Sequence, residues 1–282
     1  MRIALATCAV LPRPDTDLPI LVEAFRAQGA DASVERWDDA ALAWDGFDAV
    51  VVRSTWDYVD RLDEFLSWVD RVDRATRLFN PAQLMRWNLH KRYLVEFAAA
   101  GVPVVSTRLL PAGREADWSA LFEEFGDLVV KPAVSAGSFA TIRVQRGDSA
   151  AARAHRAAHI GRDLLVQPLL ESVVRHGESN LVHFGGAFSH AIHKGARWDG
   201  DGEQSRGLIE PDADEHALAR AVLARVASDG RGSPAYARVD MARDLDGRPV
   251  LMELELVEPA LFLDRAPERA ARFVSAVLDG VR

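Results

Sequence analysis

The stretch Tyr236–Pro259, YARVDMARDLDGRPVLMELELVEP, constrains this chain more than any other. Two runs of alternating character flank Asp246-Gly247, a dipeptide suited to a tight hairpin turn. In a strand, residues two apart point to the same face. Arg238 and Asp240 therefore share a face, as do Glu253 and Glu255, and the turn folds the two pairs together. Three carboxylates and a guanidinium thus break an otherwise apolar text that includes Leu251, Leu254, Leu256 and Val257. Like charges crowded on a sheet face are costly unless a cation sits among them. Hard oxygen ligands beside substrate phosphates describe a magnesium site. Taken alone, the same text reads equally as a solvated acidic outer face.

The first 80 residues have a different texture. Short strand-like runs at Ile3–Ala6, Ser33–Arg36, Asp48–Val52 and Leu78–Asn80 alternate with periodic helical segments at Leu18–Gln28, stopped by Gly29, and Asp60–Val72. Such alternation predicts a parallel sheet with crossover helices. DAVVV is apolar almost throughout, as in a strand buried on both faces. Arg53, Ser54 and Thr55 follow it, where open parallel sheets bind ligands. An arginine there can grip a carboxylate and the hydroxyls can orient a polar amino acid, so these three are the expected substrate contacts. The bland alternative is a turn, with Ser54 and Thr55 capping the next helix and Arg53 paired to Asp57.

Pro81 to Pro103 reads as a helical connector in which Trp87–Ala100 is one periodic segment. Beyond Pro111 short β-rich runs appear, with helices at Trp118–Phe125, Ala150–His159, Asp212–Ala227 and Ala266–Leu278. The division expected is residues 1–80, a connector 81–110, a small unit 111–170 and a larger one 171–282. Lys131 ends the strand DLVVKP and precedes the small-residue loop Ala133–Ser138, which contains Ser135 and Gly137. Ammonium and backbone N–H groups so placed can meet phosphate oxygens, although a plain hairpin connection fits the loop as well. Lys91, Lys194 and Arg197 each read individually as surface cations. Gln167-Pro168-Leu169 ends an apolar strand where proline frees a backbone edge that an adenine ring could use, although nothing local demands it. His155 and His159, beside Arg153 and Arg156, read as a solvated helix face rather than a metal pair. Trp37, Trp44 and Trp68 read as packing or surface aromatics.

A net charge of -8 argues against nucleic acid or an anionic membrane as the main partner. Cys8 is the sole cysteine, which excludes an intrachain disulfide and a cysteine zinc cluster and leaves a buried thiol as its reading. No run approaches the ~18 apolar residues of a membrane span, so the cytoplasm is the expected compartment. A homodimer stays open.

In order and spacing these elements resemble the ATP-grasp superfamily over nearly the whole chain. As in prokaryotic glutathione synthetases there is an arginine loop, VVVRSTWDYVDR, and an asparagine-proline segment with a lysine, FNPAQLMRWNLHK. A VVKP lysine, a hinge at VQPLL, an acidic residue in HGESNLV and a terminal R-x-D…E-x-E pattern follow. STWDY, KPAVSAGS, SHA and ELELVEP resemble a branch of small ATP-grasp ligases that contains the cycloserine-forming O-ureidoserine cyclo-ligase.

The resemblance implies an α/β ATP-grasp fold, with a parallel-sheet domain followed by two antiparallel-strand subdomains clasping ATP. It implies that Lys91, Lys131 and the loop through Ser135, Gly137 and Ser138 meet phosphates. Gln167 and Leu169 would meet adenine, and Glu178 the ribose hydroxyls. Asp240, Glu253 and Glu255 would hold two magnesium ions, with manganese as a substitute. Many relatives carry asparagine where Glu255 stands. Arg238 would stabilise the transferred phosphoryl group, joined by Lys194 and Arg197 from the family's mobile loop, Lys194–Gly207. The implied reaction joins a carboxylate of a small amino-acid-like substrate to an amine through an acyl phosphate, intramolecularly in the cyclo-ligase branch. A two-substrate amide ligase, a phosphotransferase and a nucleotide-binding module without turnover are the alternatives.

Overall fold

The structure, a computed structural model, describes residues 1–195 and 205–281. The first part contains β1 (Arg2–Thr7), α1 (Asp17–Ala27), β2 (Asp31–Arg36), β3 (Ala49–Ser54), α2 (Leu62–Ala75) and β4 (Arg77–Phe79). Its strands pair in parallel in the order β2-β1-β3-β4. All six residues of β3 are buried, as their apolar run requires. On one face Trp37, Trp44 and Trp68 pack with Phe65 and are buried.

Two short helices follow, α3 (Ala82–Asn88) and α4 (Tyr93–Ala99). The sequence periodicity predicts one helix over 87–100, but the chain breaks between them. The Lys91 N–H donates to the Ala133 carbonyl at 2.7 Å, a bond that a continuous helix would not allow. Next come β5 (Arg108–Leu110), α5 (Trp118–Phe125), β6 (Leu128–Pro132), β7 (Ile142–Val144), α6 (Ser149–Ala158), β8 (Leu164–Pro168) and α7 (Glu171–Arg175). These strands form an antiparallel sheet, β5-β8-β6-β7, over which α5 and α6 pack. Arg156 on α6 is not on a solvated face. It is fully buried and donates to the carbonyls of Pro111, Arg114, His159, Ile160 and Arg162, tying the loops around the helix together.

The last part holds β9 (Glu178–Phe184), β10 (Ala187–Lys194), β11 (Ser205–Ile209), α8 (Ala213–Ser228), β12 (Tyr236–Arg243), β13 (Pro249–Glu255) and α9 (Ala270–Val281). The five strands are antiparallel in the order β11-β10-β9-β12-β13. β13 lies at an edge, where unpaired backbone groups invite wrong pairing. Here they are served: Asn88 donates to the Leu254 carbonyl and accepts from the Leu256 N–H, and Tyr93 Oη accepts from the Leu254 N–H. Pro103 and Val105 pair with Leu251 further along.

α9 returns to the first sheet. Phe273 and Val277 share a buried cluster with Ile3, Leu5, Phe25 and Val51, so residues 171–282 do not close a core by themselves. The Tyr236 hydroxyl lies 3.0–3.1 Å from the carbonyls of Val52, Phe79 and Val257 and fixes the two sheets against each other. Among the described residues no helix is long and apolar enough to cross a membrane.

Candidate active site

A cavity of about 270 Å³ draws its walls from the second and third sheets and from loops of the first. Lys131 at the end of β6 lines it, with Ser135, Gly137 and Ser138 of the following loop. Gly137 and Ser138 have φ of 56° and 63°, so this loop turns through the left-handed region at two successive residues. Gln167 and Leu169 line it from β8 and its exit. Glu178 and Lys194 stand directly opposite in the β9–β10 pairing, and both reach the cavity. From the hairpin come Arg238, Asp240, Glu253 and Glu255.

The hairpin register is Arg238 opposite Glu255 and Asp240 opposite Glu253, with a bulge just beyond Asp240. The acidic text is therefore a cavity wall rather than a solvated outer face. Arg238 donates through Nε and Nη2 to the two Asp240 oxygens, each at 2.8 Å, and also pairs with Glu255. Lys91, in the break between α3 and α4, sets its ammonium 3.1 Å from Glu253 Oε1 and donates to the Ser135 carbonyl. That link ties the small-residue loop to the acidic hairpin. The Leu169 N–H donates to the Asp127 carbonyl, which takes this donor out of an adenine contact. Gln167 Nε2 donates to Thr107 Oγ1.

Burial works against the charges of Glu253 and Glu255, and neighbours decide the outcome. Burial would raise the Glu253 carboxyl, but Lys91 and Lys131 outweigh it and hold the group well below the usual range. Burial, with the charges of Asp240 and Glu253, pushes Glu255 up in spite of Arg238. This crowding is what an added cation would relieve. Among the described residues no group of three or more His, Cys, Asp or Glu side chains forms a ready metal cage.

Arg53, Ser54 and Thr55 depart from expectation: none of them lines the cavity. Burial of β3 continues through them, leaving Arg53 1% exposed and the other two fully buried. Arg53 Nη2 donates to Asp17 Oδ2 at 3.3 Å and to the Pro259 carbonyl at 2.7 Å. Its partner is not Asp57, which accepts from Trp37 and Arg61 instead. The Ser54 hydroxyl meets that of Thr7 at 2.8 Å. Arg197 lies outside the described residues.

The Streptomyces lavendulae protein named Cycloserine biosynthesis protein DcsG is 40% identical over 295 residues, covering 99% of each chain. A family model described as the N-terminal domain of D-cycloserine synthetase DcsG matches residues 3–80.

The chain belongs to the D-cycloserine synthetase family.

A crystal structure of D-cycloserine synthetase DcsG superposes with a TM-score of 0.94 at 39% identity, covering both chains completely. The D-alanine–D-alanine ligase from Bacillus anthracis, solved in complex with ATP, reaches a TM-score of 0.68 at 12% identity. It covers 100% of this chain and 97% of its own, and shows the shared ATP-grasp fold. As a member of the D-cycloserine synthetase family, this chain is an ATP-grasp ligase, an enzyme that forms C–N bonds. Several cavity residues were not anticipated from sequence, among them Tyr58, Asp17, Glu258 and Phe262. Tyr58 closes the STWDY motif and Glu258 is the third acid of ELELVEP, so both stood in quoted motifs without a role. Asp17, at the start of an amphipathic helix, carried no such signal.

Proposed function

We propose that this chain closes O-ureidoserine into cycloserine through an acyl phosphate, at the expense of ATP. The observation that carries the reading is one cavity that collects Lys91, Lys131 and Arg238 beside Asp240, Glu253 and Glu255. Phosphoryl transfer to a carboxylate needs positioning and charge neutralisation more than a covalent nucleophile. Lys131, Lys91 and the loop of Ser135, Gly137 and Ser138 would hold phosphate oxygens. Gln167 and Leu169 would flank adenine, and Glu178 would accept from the ribose hydroxyls. Glu253, Glu255 and Asp240 would hold magnesium, which when bound neutralises phosphate charge. Three carboxylates are enough for two ions, and manganese, an ion of similar ligand preference, would substitute.

A substrate carboxylate oxygen attacks the γ-phosphorus, and the bond from phosphorus to the ADP oxygen breaks. Arg238 would offset charge on the transferred group, joined by Lys194 from the same cavity; a role for Arg197 rests on the family resemblance alone. The nitrogen of the N–O bond then attacks the acyl carbon. The bond from that carbon to phosphate breaks, phosphate leaves, and the nitrogen gives up its proton. Cycloserine has no carbamoyl group, so that group is shed by hydrolysis in the overall conversion.

Incubation with O-ureidoserine, ATP and magnesium should release ADP and give cycloserine by mass. Added hydroxylamine should divert the acyl phosphate to a hydroxamate. Glu253→Gln should reduce turnover by about two orders of magnitude while circular dichroism stays unchanged. A stable phosphorylated product with no hydroxamate would identify a phosphotransferase and overturn the reading.

A further inference from the structure

Glu258 is a cavity carboxylate for which the phosphoryl chemistry above has no use. It lies three positions beyond Glu255, where the chain leaves β13, and lines the cavity together with Tyr58. The Tyr58 hydroxyl donates a hydrogen bond to it. Two buried cations of the same wall hold other carboxylates: Lys91 is held by Glu253 and Ser135, and Arg238 by Asp240 and Glu255. The half-buried Glu258 carboxylate has neutral hydrogen bonds from Tyr58 and from backbone and feels the Lys91 charge, and a cation brought into the cavity would stabilise it further. Burial pushes the Glu258 carboxyl up, to about 6, against the pull of Tyr58 and Lys91.

Its position selects the kind of cation. Glu258 lines the same cavity as Lys91 and Glu253, the groups assigned to phosphate and magnesium, and is within electrostatic reach of both. An α-amino acid carries its ammonium on the carbon next to the carboxylate. A substrate whose carboxylate is drawn towards Lys91 therefore presents its ammonium to the same cavity wall. The segment after Glu258 is also fixed in advance. Arg53 donates to the Pro259 carbonyl, Arg238 to that of Ala260, and the Leu261 and Leu263 N–H groups donate to Asp17. We propose that Glu258, oriented by Tyr58, is the subsite for the α-ammonium group of an amino-acid substrate whose carboxylate accepts the phosphoryl group. The inference rests on the acyl-phosphate reading and names the substrate feature that the site selects.

The test compares ADP release with O-ureidoserine and with its desamino counterpart, in the wild type and in Glu258→Gln. The wild type should favour the ammonium-bearing acid by about a hundredfold in kcat/KM, and the variant should keep less than about a tenth of that preference. The KM for ATP should change by less than about threefold. Tyr58→Phe should lower the preference by a smaller factor. A Glu258→Gln enzyme with undiminished preference overturns the proposal, as does a wild type that turns over both acids equally. The second comparison needs no variant and decides the matter if Glu258→Gln does not fold. If O-ureidoserine is inert, other α-amino acids and their desamino counterparts replace it. Preference for the ammonium form that vanishes in Glu258→Gln then supports the subsite while the cycloserine reading falls.

Discussion

Asp17 accepts the Leu261 and Leu263 N–H groups at 2.6 and 2.8 Å and also holds Arg53, with both side chains almost fully buried. The Arg53 guanidinium also lies 5.8 Å from the ring centres of Tyr236 and Phe273. Burial raises the Asp17 carboxyl, and Arg53 opposes that rise. Removing one member of such a pair strands the other charge, a loss of about 3–5 kcal/mol. Arg53→Met should therefore lower the urea-unfolding free energy by that order. The Arg53→Met/Asp17→Asn double variant should lose at least about 1 kcal/mol less than the sum of the single losses. Additive losses would show that the two do not act as a pair. The strand text DAVVV made the burial of the preceding residues legible, but not that it continues through Arg53. The acid that holds Arg53 stands 36 positions earlier, and no local pattern links the two. Arg238 and the hairpin acids were placed on one face by the two-residue period of their strands, whereas Lys131 and its loop read locally as a hairpin connection and took a phosphate role from the family resemblance.

At the scale of elements, the β9–β10 hairpin carries the site's tightest approach. Gly177 precedes β9 with φ +86°, and a Cβ built there would lie 1.9 Å from the Lys194 carbonyl oxygen. Glu178 and Lys194 are paired in register directly beside it. Gly177→Ala must therefore displace the end of β10, a strained change of about 1–3 kcal/mol. Because a shift near 1 Å at a catalytic group can cost about a hundredfold, ADP release should fall far more than stability does. Kinetics and melting of the same preparation check this; a variant with wild-type turnover would count against the catalytic role proposed for Lys194. The Asp246-Gly247 hairpin was legible because turn chemistry is local, and Gly247 does adopt a positive φ of 77°. The split between α3 and α4 was not. It depends on a bond from Lys91 to Ala133, a partner on a strand end far along the chain.

For the whole molecule, strand alternation revealed a parallel sheet followed by antiparallel ones, because pairing type follows from connection length. The return of α9 to the first sheet left no such trace: its apolar stripe fits any apolar face, and tertiary packing alone chose this one. Packing of this kind also encloses polar groups that then report on the fold as a whole. His183, near the end of the central strand β9, is 3% exposed and packs against Phe188, with Nδ1 3.3 Å from the Leu181 carbonyl. Burial lowers its pKa from 6.5 to about 4, with the Leu181 carbonyl opposing the shift. The unfolded chain thus binds a proton at His183 more readily than the folded one. Stability should be flat above pH 6.5 on this account and fall as the pH drops from 6.5 towards 4, by up to about 3 kcal/mol. Below that window both states are protonated and the contribution stops changing. His90, His155 and His190 are also lowered by burial and add slope of the same sign. Urea unfolding at half-unit intervals between pH 4 and 7.5 should therefore show a shallower acid limb in His183→Gln than in the wild type. Parallel limbs in the two proteins would mean that His183 is hydrated or already charged in the fold, and that β9 is not the sealed centre of its sheet.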